Sequence, residues 1–137
     1  KEQKVVCINR LNGWKGIAFP GGHIEKGEPV VPSMIREVKE ETDLDIYDLK
    51  LVGIRDWYEE EINTRNIVFI FRTTSFKGNL SQGTSEGEVF WLPIKDLKKV
   101  KLAEGFDQEI ELFEDKNKIK KTIMPSTIIL PITINKI

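Results

Sequence analysis

Apolar residues in this chain come in short alternating runs, broken once by a longer stretch of helical period. Lys4–Ile8 reads as a strand through Val5, Val6 and Ile8, closed by the Asn12–Gly13 turn signal. A second strand is expected at Ile17–Phe19, stopped by Pro20–Gly21–Gly22. From Val30 to about Thr42 the period changes, and Val31, Met34, Ile35 and Val38 fall within an arc of about 100° on a helical wheel. Pro32 is admissible in such a helix only near its first turn, where a missing N–H does no harm. Leu49–Trp57 and Asn66–Thr74 read as strands again. In the latter, Ile67, Phe69 and Phe71 point one way and Val68 and Ile70 the other, the pattern of a central strand covered on both faces. A Gly/Ser-rich loop, Gly78–Gly87, leads into a strand at Val89–Leu92, and a second helix is expected near Ala103–Glu114 with Phe106, Ile110 and Phe113 on one side. With no internal repeat or interdomain linker, the pattern predicts one mixed α/β domain over residues 1–137.

Both termini depart from this pattern. The chain opens at Lys1, close to its first strand, so further N-terminal residues are expected before it. Lys116–Lys121 is basic, and Ile123–Ile137 is isoleucine-rich but interrupted by Pro125 and Pro131. That tail reads as a poorly ordered end or one extra strand on this domain, in preference to an edge strand or dimer contact.

Composition narrows the function. The 137 residues carry 21 Lys and Arg against 22 Asp and Glu, a net charge of −1, which argues against gripping nucleic acid through a broad basic face. The lone cysteine, Cys7, forms no internal disulfide, and a chain of this length needs none, so a reduced, cytoplasmic protein is expected. No apolar run is long enough for a membrane helix, and no signal peptide is visible.

The informative chemistry lies in the first helix. Glu37, Glu40 and Glu41 fall within about 100° of one another on the wheel, beside the apolar arc. They occupy the last turns, where the helix dipole disfavours negative charge, and Asp43 adds a fourth acid. Like charges at this spacing also repel. A hard divalent cation offsets that cost: magnesium takes oxygen ligands, one or two carboxylates and a substrate phosphate. The bland alternative is a solvated acidic face. Ahead of the helix, Gly21–Gly22 permits close backbone approaches that can serve a metal or a phosphate, although a Gly pair alone is only a turn.

Taken together, Gly22, Glu28, Arg36, Glu37, Glu40 and Glu41 fit the spacing G-x5-E-x7-R-E-U-x-E-E-x-G-U, where U is a bulky apolar residue. This resembles the Nudix box, and Phe19–Pro20–Gly21 before it resembles the MutT-like branch. The departure is Asp43 in place of the last glycine, which serves the left-handed turn ending the helix; Asp tolerates that turn at small cost. The resemblance implies a Nudix-type α/β/α sandwich with a mixed sheet, with residues 116–137 a divergent tail outside it. It also implies Mg2+-dependent hydrolysis (Mn2+ substituting) of a nucleotide small-molecule substrate. By resemblance, Glu40 and Glu41 ligate magnesium with the main-chain oxygen of Gly21. Glu37 is a further ligand or the general base, and Arg36 orients it. Glu86 or Glu88 supplies a further acid from the loop before a late strand. Arg10 contacts substrate phosphate, Glu28 supports the metal shell, and Gly22 borders the substrate; His23, placed beside the site by the glycine loop, is either a substrate contact or an exposed loop residue. Trp14 leads Trp57, Tyr58 and Trp91 as a base-stacking candidate.

The box reads the diphosphate and not the base, so substrate choice stays open. A nucleoside triphosphate cleaved to monophosphate and pyrophosphate leads, with 8-oxo-dGTP the usual suggestion in this branch. ADP-ribose or another nucleotide sugar is the runner-up. Intact box glutamates weigh against a non-catalytic regulatory module. The net charge and the acidic Glu59–Glu61 weigh against RNA 5′ ends. A homodimer is compatible with the resemblance.

Overall fold

The computed structural model describes residues 3–13, 15–111 and 126–135. In chain order it forms β1 (Lys4–Arg10), β2 (Gly16–Ala18), β3 (Gly22–His23), α1 (Val30–Thr42), β4 (Asp45–Tyr47), β5 (Lys50–Glu59), β6 (Thr64–Thr73), β7 (Ser75–Lys77), β8 (Gly83–Thr84), β9 (Gly87–Pro93), α2 (Phe106–Glu111) and β10 (Ser126–Asn135). Short 3-10 turns at Glu60–Ile62 and Ile94–Lys99 complete the connections. The principal sheet runs β5-β6-β10-β1-β9-β8, with β2 against β1 and β3 against β10; β4 and β7 pair separately. No helix among the described residues is long and apolar enough to cross a membrane.

β6 is the two-sided strand that its alternation predicts. Val68 and Ile70 enter a cluster with Val5, Cys7, Val89, Phe106 and Ile110. Phe71 and the half-buried Phe69 turn the other way, onto Met34 and Val38 of α1, with Leu44 and Ile46. The sheet therefore carries α1 on one face and α2 on the other. Phe106 meets Phe19 edge to face at 4.3 Å, which fastens α2 to the strand end before the glycine loop. Cys7 is fully buried and burial pushes its thiol up to about 12, so it acts as a small apolar residue.

The C-terminal segment forms one extra strand on this domain, one of the two forms expected of it, and not an edge strand. β10 pairs antiparallel with β6 from Ile128↔Thr73 to Asn135↔Asn66, and parallel with β1 at Lys4↔Ser126 and Val5↔Thr127 and with β3 at Ile132↔Gly22 and Thr133↔His23. It is an interior joint between β1 and β6. Pro131 sits in this interior strand although prolines favour edges. Residues 128–131 lie between the β1 and β3 pairings and take β6 as their partner among the described strands, so that stretch keeps one open backbone side where a missing N–H is tolerated. α2 starts at Phe106, three residues after the expected start, and Phe113 lies outside the described residues.

α1 spans the predicted residues and ends as the Asp43 reading requires. Asp43 has φ 64° and ψ 9°, in the left-handed region, and its N–H donates to the Lys39 carbonyl. Lys39 Nζ in turn reaches Asp43 Oδ1 and Asp45 Oδ2, each at 3.1 Å. Replacing Asp43 tests this cap. Asp43→Gly is expected to leave thermal stability within about 1 kcal/mol, and Asp43→Val to lower it by about 1–2 kcal/mol, as measured by chemical denaturation. Equal stability of the two variants would contradict the left-handed cap.

Candidate active site

Arg36 on α1 is the hub of the loop–helix junction. Its Nε and Nη2 form a fork on Glu28, at 2.7 Å to Oε1 and 2.9 Å to Oε2. Its Nη1 donates to Glu37 Oε1 at 3.0 Å and to Glu40 Oε2 at 3.2 Å, and Nη2 also reaches the His23 carbonyl at 3.1 Å. One guanidinium thereby joins the loop to three carboxylates, a use of its planar five-donor fork that lysine could not copy. Glu28 accepts the Glu25 N–H as well, and with the Arg36 bond as the larger cause its carboxyl is held down at about 2. Glu28 therefore braces Arg36 and does not line the cleft. This corrects the expectation that it borders substrate, while its link to Glu37 and Glu40 runs through Arg36.

Glu41 is the unusual acid. Although its wheel position is at the border of the apolar arc, only 7% of it is exposed. Its Oε2 accepts the Gly21 N–H at 3.3 Å. Burial first, then the charges of Glu86 and Glu37, push its carboxyl up to about 8, against the opposing Gly21 bond and Arg10 charge. Burial likewise raises Glu37, opposed by the Arg36 bond. Glu40 stays largely in solvent, its side chain 58% exposed. Gly22 leaves room for the Glu37 carboxylate: a Cβ there would overlap the end of that side chain and push it aside.

These residues border a cleft of about 750 Å³. Arg10, Gly21, Gly22, His23, Arg36, Glu37, Glu40, Glu41 and Glu86 all line it. Glu86 sits in the β8–β9 turn, where its carbonyl accepts the Leu11 N–H beside the end of β1, whereas the exposed Glu88 does not line the cleft. Trp14 lies outside the described residues. Trp57 faces the cleft with the Arg55 guanidinium 4.9 Å from its ring centroid, while Trp91 packs on Phe76 across the sheet and Tyr58 is exposed. The sequence reading missed Arg55, Glu59 and Asn66 as cleft residues. The i, i+2, i+4 alternation of Arg55, Trp57 and Glu59 on β5 was the signal for the first two.

Among the described residues, no three Asp, Glu, His or Cys side chains already converge as a ready metal cage. The fit to a cation rests instead on Glu41, a buried acid whose near neighbours include two further carboxylates. Oxygen donors only, held around a site where negative charge is undercompensated, suit a hard divalent ion that keeps some of its waters.

Two outcomes follow from this geometry. Gly22→Ala is expected to displace the Glu37 carboxylate, the flexible end of its side chain, and to impair activity with little change in melting temperature; full activity would contradict the contact. The second concerns pH. Glu41 has a folded pKa of about 8, above its ordinary value of 4.5, so the folded chain holds this proton more tightly than the unfolded one. Its linked stability is present at and below pH 4.5 and declines as pH rises to about 8. In chelator the melting temperature should accordingly fall from pH 5.5 to pH 8. Glu28 acts in a separate window, between about 2 and 4.5, where its lowered carboxyl costs stability on acidification. A Glu41→Gln variant that falls as steeply as the parent would contradict the assignment.

A family model of the NUDIX domain matches residues 1–113. The chain is 32% identical over 108 residues to the Nudix hydrolase YvcI of Bacillus subtilis, covering 76% of this chain and 67% of that protein. It is 32% identical over 111 residues to an ADP-ribose pyrophosphatase of Methanocaldococcus jannaschii, covering 80% of this chain and 63% of that protein. It thus spans about two thirds of the length of these curated relatives. In fold it is similar to MutT from Bacillus halodurans, with a TM-score of 0.68 at 23% identity over 83% of this chain and 81% of that one. The NUDIX domain of Shewanella oneidensis NrtR, solved with ADP ribose, gives 0.59 at 13% identity over 85% and 86%. The matched span holds the whole loop–helix junction organised by Arg36, and the chain belongs to the Nudix hydrolase family.

Proposed function

We propose that this cleft hydrolyses a phosphoanhydride of a nucleoside triphosphate, giving nucleoside monophosphate and pyrophosphate, with Mg2+ as the cofactor and Mn2+ able to replace it. The observation that carries the reading is Glu41, buried against the charges of Glu86 and Glu37 at the wall of a cleft large enough for a nucleotide. Glu37, Glu40, Glu41 and Glu86, with the Gly21 main chain, would hold the ion. When bound, it neutralises phosphate oxygens and lowers the pKa of coordinated water.

The chain's own groups divide the remaining work. Arg36 fixes Glu37 through a charge-assisted bond at 3.0 Å, which keeps that carboxylate aimed into the cleft as the proton acceptor or as a further ligand. Arg10, at the end of β1, meets the anionic chain of the substrate. Water oxygen adds to phosphorus, the anhydride oxygen leaves with pyrophosphate, and the proton passes to a cleft carboxylate. No covalent enzyme intermediate is needed.

ADP-ribose hydrolysis is the second reading, favoured by the 32% identity to a relative named for that activity. Turnover of GTP, 8-oxo-dGTP, ATP and ADP-ribose, each assayed for pyrophosphate and phosphate, separates the two. Under the leading reading a triphosphate gives pyrophosphate with the highest kcat/KM; dominant ADP-ribose turnover would replace the substrate and keep the site. Glu41→Gln is expected to lower kcat/KM by about a hundred-fold or more, by removing a ligand charge. Because it also removes a buried charge, it should raise the melting temperature in chelator at pH 8. Near-normal turnover in that variant, or turnover unaffected by excess chelator, would overturn the proposal.

A further inference from the structure

The wall of the cleft opposite in sequence to the glutamate helix carries a prepared hydrogen-bonding edge. Trp57 and Asn66 are directly paired across β5 and β6, and Glu59 follows two residues after Trp57 on the same side of the strand. Trp57 Nε1 donates to Glu59 Oε1 at 3.1 Å, and Asn66 Nδ2 donates to the same oxygen at 2.8 Å. Asn66 is only 6% exposed, and all three residues line the cleft. The carboxylate is therefore held by two donors on one oxygen, and among the described residues no donor reaches Oε2. Because a carboxylate only accepts, the Asn66 amide must turn its nitrogen to Glu59, which leaves Oδ1 as an acceptor too.

We propose that Glu59, with Asn66 beside it, is the specificity-determining residue of this cleft and selects guanine-type bases through acceptors turned toward the base edge. The proposal rests on the nucleotide reading above and names the substrate class for it. Guanine presents two adjacent donors, N1–H and N2–H2. Adenine places the acceptor N1 beside its single amino donor, cytosine places N3 beside its amino group, and uracil flanks one N–H with two carbonyl oxygens. Acceptors on the wall satisfy guanine and confront a lone pair of each other base, and a buried polar group left facing a lone pair is penalised more than a missing contact. Oxidation at C8 leaves the N1–N2 edge intact, so the wall selects the guanine family and is blind to that modification.

Glu59→Gln makes the test sharp. The Trp57 and Asn66 donors hold the new side chain's oxygen where Oε1 now sits, which turns its NH2 toward the base and converts an acceptor into a donor. GMP and AMP binding, measured by calorimetry in chelator, needs no turnover. The unaltered protein is expected to bind GMP about ten-fold more tightly than AMP or better. Glu59→Gln should abolish that preference by weakening GMP, with AMP unchanged or tighter and the melting temperature retained. Glu59→Ala, which removes the side chain instead of reversing it, should lose the preference without any gain for AMP. Equal binding of GMP and AMP by the unaltered protein, no binding of either, or an equal loss of both in Glu59→Gln would overturn the proposal. GTP and ATP turnover with Mg2+ is then compared: a guanine preference in binding without hydrolysis of either nucleotide supports the base reading and overturns the hydrolytic one, whereas hydrolysis without base preference does the reverse.

Discussion

The site depends on how one guanidinium distributes its donors. Arg36 holds Glu28 bidentately, reaches Glu37 and Glu40 on its own helix, and ties down the loop by donating to the His23 carbonyl. The glycines at 21 and 22 give the loop freedom to approach the helix, and that same freedom would leave it unfixed without an external anchor. Arg36 is that anchor. It also explains how α1 tolerates acids in the half where the dipole opposes them: Arg36 neutralises the inner pair, and Lys39 does so for Asp43 and Asp45 at the cap. The charges are placed against the helix's own preference and compensated one by one.

Glu41 is where the compensation stops. It lies one turn beyond Glu37, inside the cleft wall, beyond the hydrogen bonds that Arg36 makes, and it is repelled by Glu86 from the β8–β9 turn. The box spacing holds Glu28, Glu37, Glu40 and Glu41 without showing their surroundings, and the fold gives each a different setting. Glu28 is consumed in bracing the hub, Glu37 is half consumed, and Glu41 keeps an unmet demand for positive charge. Such an internal deficit is costly in the free protein and becomes an attraction once a cation enters.

What could be read in advance, and what could not, follows from the range of each interaction. α1 was legible because its apolar period and its acids lie within thirteen residues, and Asp43 because a left-handed cap is a local backbone event. The two-sided character of β6 was equally visible in its alternation. By contrast, the partners of β10 are β1, β3 and β6, all more than fifty residues away, so an extra strand could be expected but its interior position between β1 and β6 could not be read locally. The partner of Glu28 was hidden for a related reason: its spacing to the box was clear, but the fork it makes across eight residues to Arg36 depends on how the loop closes. Glu59 was noticed only as part of an acidic run, since nothing local announces that its carboxylate is clamped by an indole two residues before it and an amide on the next strand.

The separation of these parts has a consequence for how such a cleft changes its substrate. The groups proposed to meet the phosphoanhydride lie on α1, the loop before it and the β8–β9 turn; those proposed to meet the base lie on the β5–β6 hairpin. They share a cleft but no side-chain hydrogen bonds among those found within each set. A substitution at Glu59 or Asn66 can therefore alter which base is accepted while Arg36 keeps its grip on Glu28 and Glu37 unchanged. The physical coupling between the two sets runs through the sheet, where β10 joins β6 to β1 and to the strand that carries Gly22. That joint holds the β5–β6 hairpin and the glycine loop in one sheet, so the two walls of the cleft keep a fixed relation while side chains on either can change independently.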